Sequence, residues 1–211
     1  MGFPGYALLC FGSLMSIVDP FAALPMFLAL TGGQDARTRA RTARVSSLTC
    51  FVVLSVFGVA GTFIFSFFSI TIPAFKIAGG ILLFGVGLEM MRGKQSDTKG
   101  NPEEKAEAAA KQDIAIIPMG LPLLSGPGSI ATVMVLVGKA TSFPQRLGAY
   151  AAIIAVSLLT FVVLRSAEFV ARALGKTGIN LIGRIMGLIL AATAVQFVID
   201  GAHEAFPKLL G

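Results

Sequence analysis

Charge is scarce in this chain. Only 13% of its 211 residues are Asp, Glu, Lys or Arg, against roughly 25% in ordinary soluble domains. Hydrophobic residues make up 55%, and the mean hydropathy is +0.82. This balance excludes a water-soluble globular domain and reads as a polytopic membrane protein. The formal net charge of +6 does not point to nucleic acid, because Lys and Arg gather in short segments between apolar runs, where they orient a chain in the bilayer. Cysteine and histidine are almost absent. Cys10 and Cys50 lie inside apolar runs, where a thiol behaves as a small hydrophobe, and His203 stands near the C-terminus among charged residues, as a solvated side chain does. Two separated cysteines and one histidine give no zinc-type spacing. No nucleophile with a base and no paired carboxylates stand out, so the chain is not read as an enzyme and no catalytic residue or cofactor is assigned. Nor does a basic segment precede the first apolar run, which is too long for a cleaved signal peptide and is expected to stay as the first span.

What is present is a series of long apolar runs. A helix needs about 20 largely apolar residues to cross a bilayer, and six segments qualify: residues 4–31, 45–69, 71–91, 114–138, 147–170 and 179–201. None alternates in polarity as a membrane strand would, so each is expected to be a helix that satisfies its backbone internally. Positive charge falls unevenly between them. Arg37, Arg39, Arg41, Arg44, Arg92, Lys94, Lys99, Lys105, Lys111, Arg165, Arg172 and Lys176 share one face; only Lys139, Arg146 and Lys208 fall on the other. The positive-inside rule therefore places both termini outside the cytoplasm. Residues 93–113 form the one long polar segment and read as a cytoplasmic linker, with Asn101-Pro102 opening a short surface helix.

The linker divides the chain into residues 1–92 and 114–211, three spans each. Shifting the second half by 107 positions sets Gly126-Pro127 on Asp19-Pro20 and Arg146 on Arg39; a shift of 104 sets Gly183 on Gly79. An odd number of spans per half makes the second half enter the membrane from the opposite side, so the repeat is expected to be inverted. Inverted repeats with interrupted helices are the pattern of secondary transporters, with a site at the midplane.

The interruptions occur in the first and fourth spans. Pro20 has no N–H and breaks a continuous helix, yet it suits the first position of a new one, with Asp19 as N-cap. Pro25 follows as a further irregularity. In the fourth span Gly126-Pro127-Gly128 permits backbone conformations closed to other residues, with Pro122 just before it. Lipid cannot satisfy the backbone groups freed at such breaks, so they are expected to face protein, water or ligand. Two helix N-termini meeting at mid-membrane favour a carboxylate. Ser125 and Ser129 add hydroxyls, and the Asp19 carboxylate supplies the opposite polarity. The expected substrate site is therefore Asp19, Pro20, Phe21, Ala22, Ser125, Gly126, Pro127, Gly128 and Ser129, and the expected solute a small zwitterion. An ionisable residue at membrane depth is a functional candidate by default; Asp19 is a candidate for binding the solute's ammonium, holding a sodium ion, or carrying a coupling proton. Lys76 and Glu89 are expected to reach towards the interfaces, and Gly79, Gly80, Gly85, Gly87, Gly183 and Gly187 to mark close helix packing.

Four stretches resemble the MarC family of six-span integral membrane proteins: DPFAALPMFLALT, FKIAGGILLFGVGLEMMRG, IPMGLPLLSGPGSIATVMVL and NLIGRIMGLILAATAVQFVIDG. The resemblance covers nearly the whole chain. Members commonly read Asn-Pro-x-Gly-Asn at the first break, where this chain has Asp19-Pro20-Phe21-Ala22-Ala23. It implies a bacterial or archaeal plasma membrane and transport of glycine, alanine or similar small amino acids. The competing expectations are an exporter or channel for another small solute, or a membrane-embedded enzyme or assembly factor.

Overall fold

The computed structural model of the chain describes residues 2–32, 34–92, 119–120 and 123–206, with backbone alone at 171, 174, 176 and 179. The linker expected at 93–113, its Asn101-Pro102 helix start, the first residues of the fourth span, Pro122 and Lys208 lie outside the described residues.

Among the described residues the fold is all helix. Helix α1, Phe3–Val18, opens on Pro4, and α2, Pro20–Leu30, follows it after a single residue. Helix α3, Ala36–Phe67, is capped by Asp35, which accepts from the Thr38 N–H at 3.3 Å; the Thr38 contacts hold this carboxyl below the usual carboxylate range. At 1.5 Å per residue the 32 residues of α3 reach about 48 Å, well beyond a hydrocarbon core of about 30 Å. Its arginine-bearing first turns therefore stand outside that core, and the helix begins nine residues before the span expected at 45–69. It ends in a turn where Ser69 takes the left-handed conformation (φ 53°) and the Ile70 N–H bonds the Phe65 carbonyl at 2.8 Å, closing off the last free carbonyls. Helix α4 covers Ile72–Arg92, α5 Pro127–Gly138, α6 Phe143–Arg165 and α7 Ala167–Ala205. The connection expected between the last two spans is itself helical. Gly175, at φ 63° and ψ 178°, sets a kink between that short first section and the apolar remainder of α7.

Five helical stretches are long and apolar enough to cross a membrane: Phe3–Leu30, Ala36–Phe67, Ile72–Arg92, Phe143–Val170 and Asn180–Ala205. The described α-helix of the fourth expected span, Pro127–Gly138, has only 12 residues and is too short to cross alone. Leu8, Phe63, Phe67 and Phe169 are each about 70 to 80% exposed. On a protein in water they would be a docking surface; on helices of this composition they form the face turned to lipid.

Packing runs between the first four helices and the last three. Helix α1 lies along α6, where Gly148 approaches the backbone of Phe3 and Ala7, and the Tyr6 hydroxyl donates to the Leu136 carbonyl of α5 at 2.6 Å. Helix α2 lies against α7 and α6, and α3 against α6 and α5. The closest pair is α4 with α7. A Cβ on Gly87 would sit 2.8 Å from the Gly187 carbonyl and the Ala191 N–H, so only glycine admits these backbones to each other. Gly80 and Gly187 are close-packed in the same way, while Gly79 is close-packed on Pro127 of α5 and Gly183 on Ala29 of α2. Gly85 is exposed and meets nothing within 4 Å, so its expected packing role does not hold.

Two ion pairs tie opposite ends of the bundle. Near the arginine-rich face Arg39 of α3 donates to Glu168 of α7 at 2.5 Å; at the other face Lys76 of α4 pairs with Glu204 of α7 at 2.6 Å. Lys76 thus turns to a partner on α7 and does not simply reach for the interface.

Candidate functional site

The break between α1 and α2 is one residue wide. Asp19 has φ 36° and ψ 70°, a left-handed conformation uncommon outside glycine. Its N–H donates to the Met15 carbonyl and ends α1, while its carbonyl accepts from the Ala23 N–H and begins α2, both at 3.1 Å. The side-chain Oδ1 accepts from the Ala22 N–H at 3.1 Å, which is the N-cap geometry expected at this position. Pro20 offers no N–H to Ser16, and Ala22 spends its own on Asp19, so the last turn of α1 keeps open carbonyls beside the open start of α2. Pro20 is buried, whereas Asp19, Phe21 and Ala22 are exposed, Phe21 by 60%. A carboxylate and two helix ends thus stand open at the midpoint of an apolar stretch of 28 residues.

The second break is built differently. The Ser125 N–H donates to the Gly120 carbonyl at 3.1 Å, a five-residue step that widens the chain into a π-type turn before Gly126. Helix α5 starts at Pro127 with Gly126 as N-cap, and Gly126 has no side chain with which to cap. The N–H groups of Gly128 and Ser129 therefore remain the open donors of this helix end. Ser129 donates its hydroxyl to the Leu124 carbonyl at 3.1 Å, closing the loop on itself. Ser125, Gly126, Pro127 and Ser129 are buried and Gly128 is half-buried. One break is open and the other sealed.

The fold brings the breaks near each other through their flanks. A Cβ on Gly128 would come within 3.2 Å of Ile17 Cγ2, two residues before Asp19, and within 3.7 Å of the Phe197 ring. A Cβ on Gly79 of α4 would overlap the Pro127 ring, so α4 supports the start of α5 directly. Among the described residues no hydrogen bond joins the Asp19 carboxylate to residues 125–129.

Two groups of residues around the site are not expected from sequence: Ser46, Cys50 and Ser157 beside the expected Ser125, and the surroundings of Arg39. The hydroxyls of Ser125 and of Ser157 on α6 both lie alongside the Cys50 thiol of α3, and Ser46 stands one turn before Cys50. The hydroxyls of Ser46, Ser125 and Ser157 are buried without a hydrogen-bond partner. Single hydroxyls within apolar runs carry little signal, although the spacing of Ser46 and Cys50 does put them on one helix face. The other group surrounds Arg39, 8% exposed. Its guanidinium donates to Glu168, to the Thr31 carbonyl at 3.2 Å and to the Gln34 carbonyl at 3.1 Å, while the other Glu168 oxygen accepts from Arg172 at 3.2 Å. Arg39 enters the sequence reading only as a positive charge and as the repeat counterpart of Arg146; its partner lies 129 positions away.

A family comparison matches residues 6–206 to the description "MarC family integral membrane protein". The chain is 41% identical over 191 residues to the UPF0056 membrane protein of Aquifex aeolicus, covering 90% of this chain and 89% of that protein. It is 38% identical over 199 residues to a UPF0056 membrane protein of Pyrococcus horikoshii, covering 94% and 95%. To the UPF0056 membrane protein YhcE of Escherichia coli it is 36% identical over 208 residues, covering 99% and 96%. No solved structure matches the chain. With the family matching across both breaks, and relatives of nearly equal length aligned over almost the whole chain, this protein belongs to the MarC family of integral membrane proteins.

Proposed function

We propose that the protein is a secondary transporter of small neutral amino acids such as glycine and alanine. It works by alternating access around a midplane site, where Asp19 is the candidate for binding the solute's ammonium, a sodium ion or a coupling proton. The observation that carries this reading is the pair of proline-started half-helices, α2 and α5, contributed by different halves of the chain, with Ile17, near the end of α1 just before the first break, set against Gly128 at the start of α5. Each offers open backbone donors at membrane depth, and together with the Asp19 carboxylate they suit the two charges of a zwitterion.

The helix packing supports an inverted repeat of six spans, residues 114–138 forming the fourth with α5 as its second part. Exchanging the halves turns α2 on α6 into α5 on α3, and α2 on α7 into α5 on α4, while the α3–α6 and α4–α7 pairs exchange into themselves. The unequal exposure of the two breaks fits one state of an alternating cycle. The charge distribution supports termini outside the cytoplasm in the plasma membrane, and the matched relatives come from bacteria and archaea.

The test is flux into liposomes holding the purified protein, across glycine, alanine, serine and several solutes that are not amino acids, with sodium and proton gradients varied. Amino acid uptake driven by one of the gradients is expected, and Asp19→Asn is expected to abolish the gradient dependence while the protein still inserts. Uptake confined to other solutes, or insensitive to both gradients, gives the protein to the channel or exporter reading instead.

A further inference from the structure

We propose that the carboxylate of the solute is received among the buried hydroxyls where the second break packs against α3 and α6, a chamber closed in this conformation, in which Ser46 and Ser157 are binding residues beside Ser125. This rests on the transporter reading and extends its site to two helices not otherwise assigned to it.

Three contacts fix the register of α3 against α6 and its continuation. Arg39 meets Glu168, Cys50 meets Ser157, and Gly58 lies 3.5 Å from the Tyr150 hydroxyl by its Cβ position. Each step forward along α3 is matched by a step back along α6, so the helices run antiparallel. Ser46, one turn from Cys50 on the same face, then lies level with Thr160 and Phe161, one turn beyond Ser157. Thr160 is already committed, donating to the Val156 carbonyl at 2.8 Å. Ser46, Ser125 and Ser157 are not: they are 0, 0 and 6% exposed, and none has a partner. A thiol is a poor hydrogen-bond acceptor, so Cys50 does not compensate them. A buried polar atom left unpaired is unfavourable and calls for an explanation.

The chemistry of the chamber selects its occupant. Every group present is a donor able to serve an anion: three hydroxyls, the open N–H groups of Gly128 and Ser129, and the positive end of a helix of 12 residues. A cation would meet that positive end and, among the described residues, no carboxylate. Gly126 and Gly128 leave the backbone bare, so a carboxylate can reach the N–H groups. The ammonium of the same small molecule is then left for the Asp19 side of the site.

Cys50 is a native reporter on the chamber wall. It is sealed in this conformation, and an alternating cycle must expose it. In a Cys10→Ala background Cys50 is the only thiol, and its reaction with N-ethylmaleimide in proteoliposomes is followed by mass spectrometry alongside flux. Glycine and alanine are expected to slow the reaction at least tenfold, and glycinamide, which lacks the carboxylate, to leave it unchanged. Ser157→Ala and Ser46→Ala are each expected to raise the KM for glycine about tenfold, since each removes one hydrogen bond to a charged group; Ser157→Thr keeps the hydroxyl and is expected to restore most of the loss. If amino acid flux proceeds while Cys50 is unreactive, or reacts at the same rate with and without glycine, the chamber is not the site and the transporter reading stands without it. Equal protection by glycinamide overturns the carboxylate assignment. Absence of amino acid flux removes the transporter reading, and this inference with it.

Discussion

Gly79 and Gly85 lie on the same helix, fewer than two turns apart, yet their surroundings differ completely. A methyl group at Gly79 would overlap Pro127, the residue on which α5 begins, whereas one at Gly85 would meet open space. Gly79→Ala is therefore expected to displace the start of α5 and lower amino acid flux about tenfold or more. Gly85→Ala is expected to leave flux unchanged and to stabilise α4 by about 1 kcal/mol, the usual gain of Ala over Gly in a helix interior. Flux in liposomes and thermal unfolding in detergent check the pair; equal effects would remove the direct support of the second break by α4. At this scale Asp19 and Pro20 were legible in the sequence, because a missing N–H and a capping carboxylate act on their immediate neighbours. The different fates of the two glycines were not, since a glycine's role is decided by the chain that approaches it. Ser46 and Ser157 were hidden for the same reason.

Helices record their hydrophobic stretches in the sequence more faithfully than their ends. The first, third, fifth and sixth expected spans correspond closely to apolar helix, because hydropathy reports which residues avoid water. It does not report that α3 continues for two further turns beyond the membrane on arginine-bearing residues, or that Ser166 alone separates α6 from α7, which then kinks at Gly175. These outlying turns meet at Arg39 and Glu168. The Arg39 guanidinium is held by a carboxylate and two carbonyls and is almost wholly enclosed, and removing one partner of an enclosed pair leaves the other charge uncompensated. Glu168→Gln and Arg39→Gln are each expected to lower the melting temperature by several degrees, and the double substitution to cost less than their sum. Exchanging the charges, Arg39→Glu with Glu168→Arg, is expected to recover part of the loss. Additive effects in this cycle would mean that the two side chains act independently.

Across the whole molecule, the ion pairs Arg39–Glu168 and Lys76–Glu204 tie the first half of the chain to the second at opposite ends of the bundle. Helices that pack almost wholly across the halves, and a clamp at each end, are what a cycle needs if one end is to open while the other stays closed. On the transporter reading proposed above, the halves enter the membrane from opposite sides, as an odd number of spans in each half produces. Both termini must then lie on the same side, and residues 93–113 on the other. Fusing a fluorescent protein that matures only in the cytoplasm to the C-terminus is expected to give no signal, and alkaline phosphatase at the same position to be active; inserted within 93–113, the two reporters are expected to behave in the reverse manner. A fluorescent C-terminus together with a fluorescent 93–113 insertion would mean an even number of crossings in the second half. The two half-helices would then no longer be related by an axis in the membrane plane, and the opposed ion pairs would be two unrelated struts with no reciprocal opening to govern.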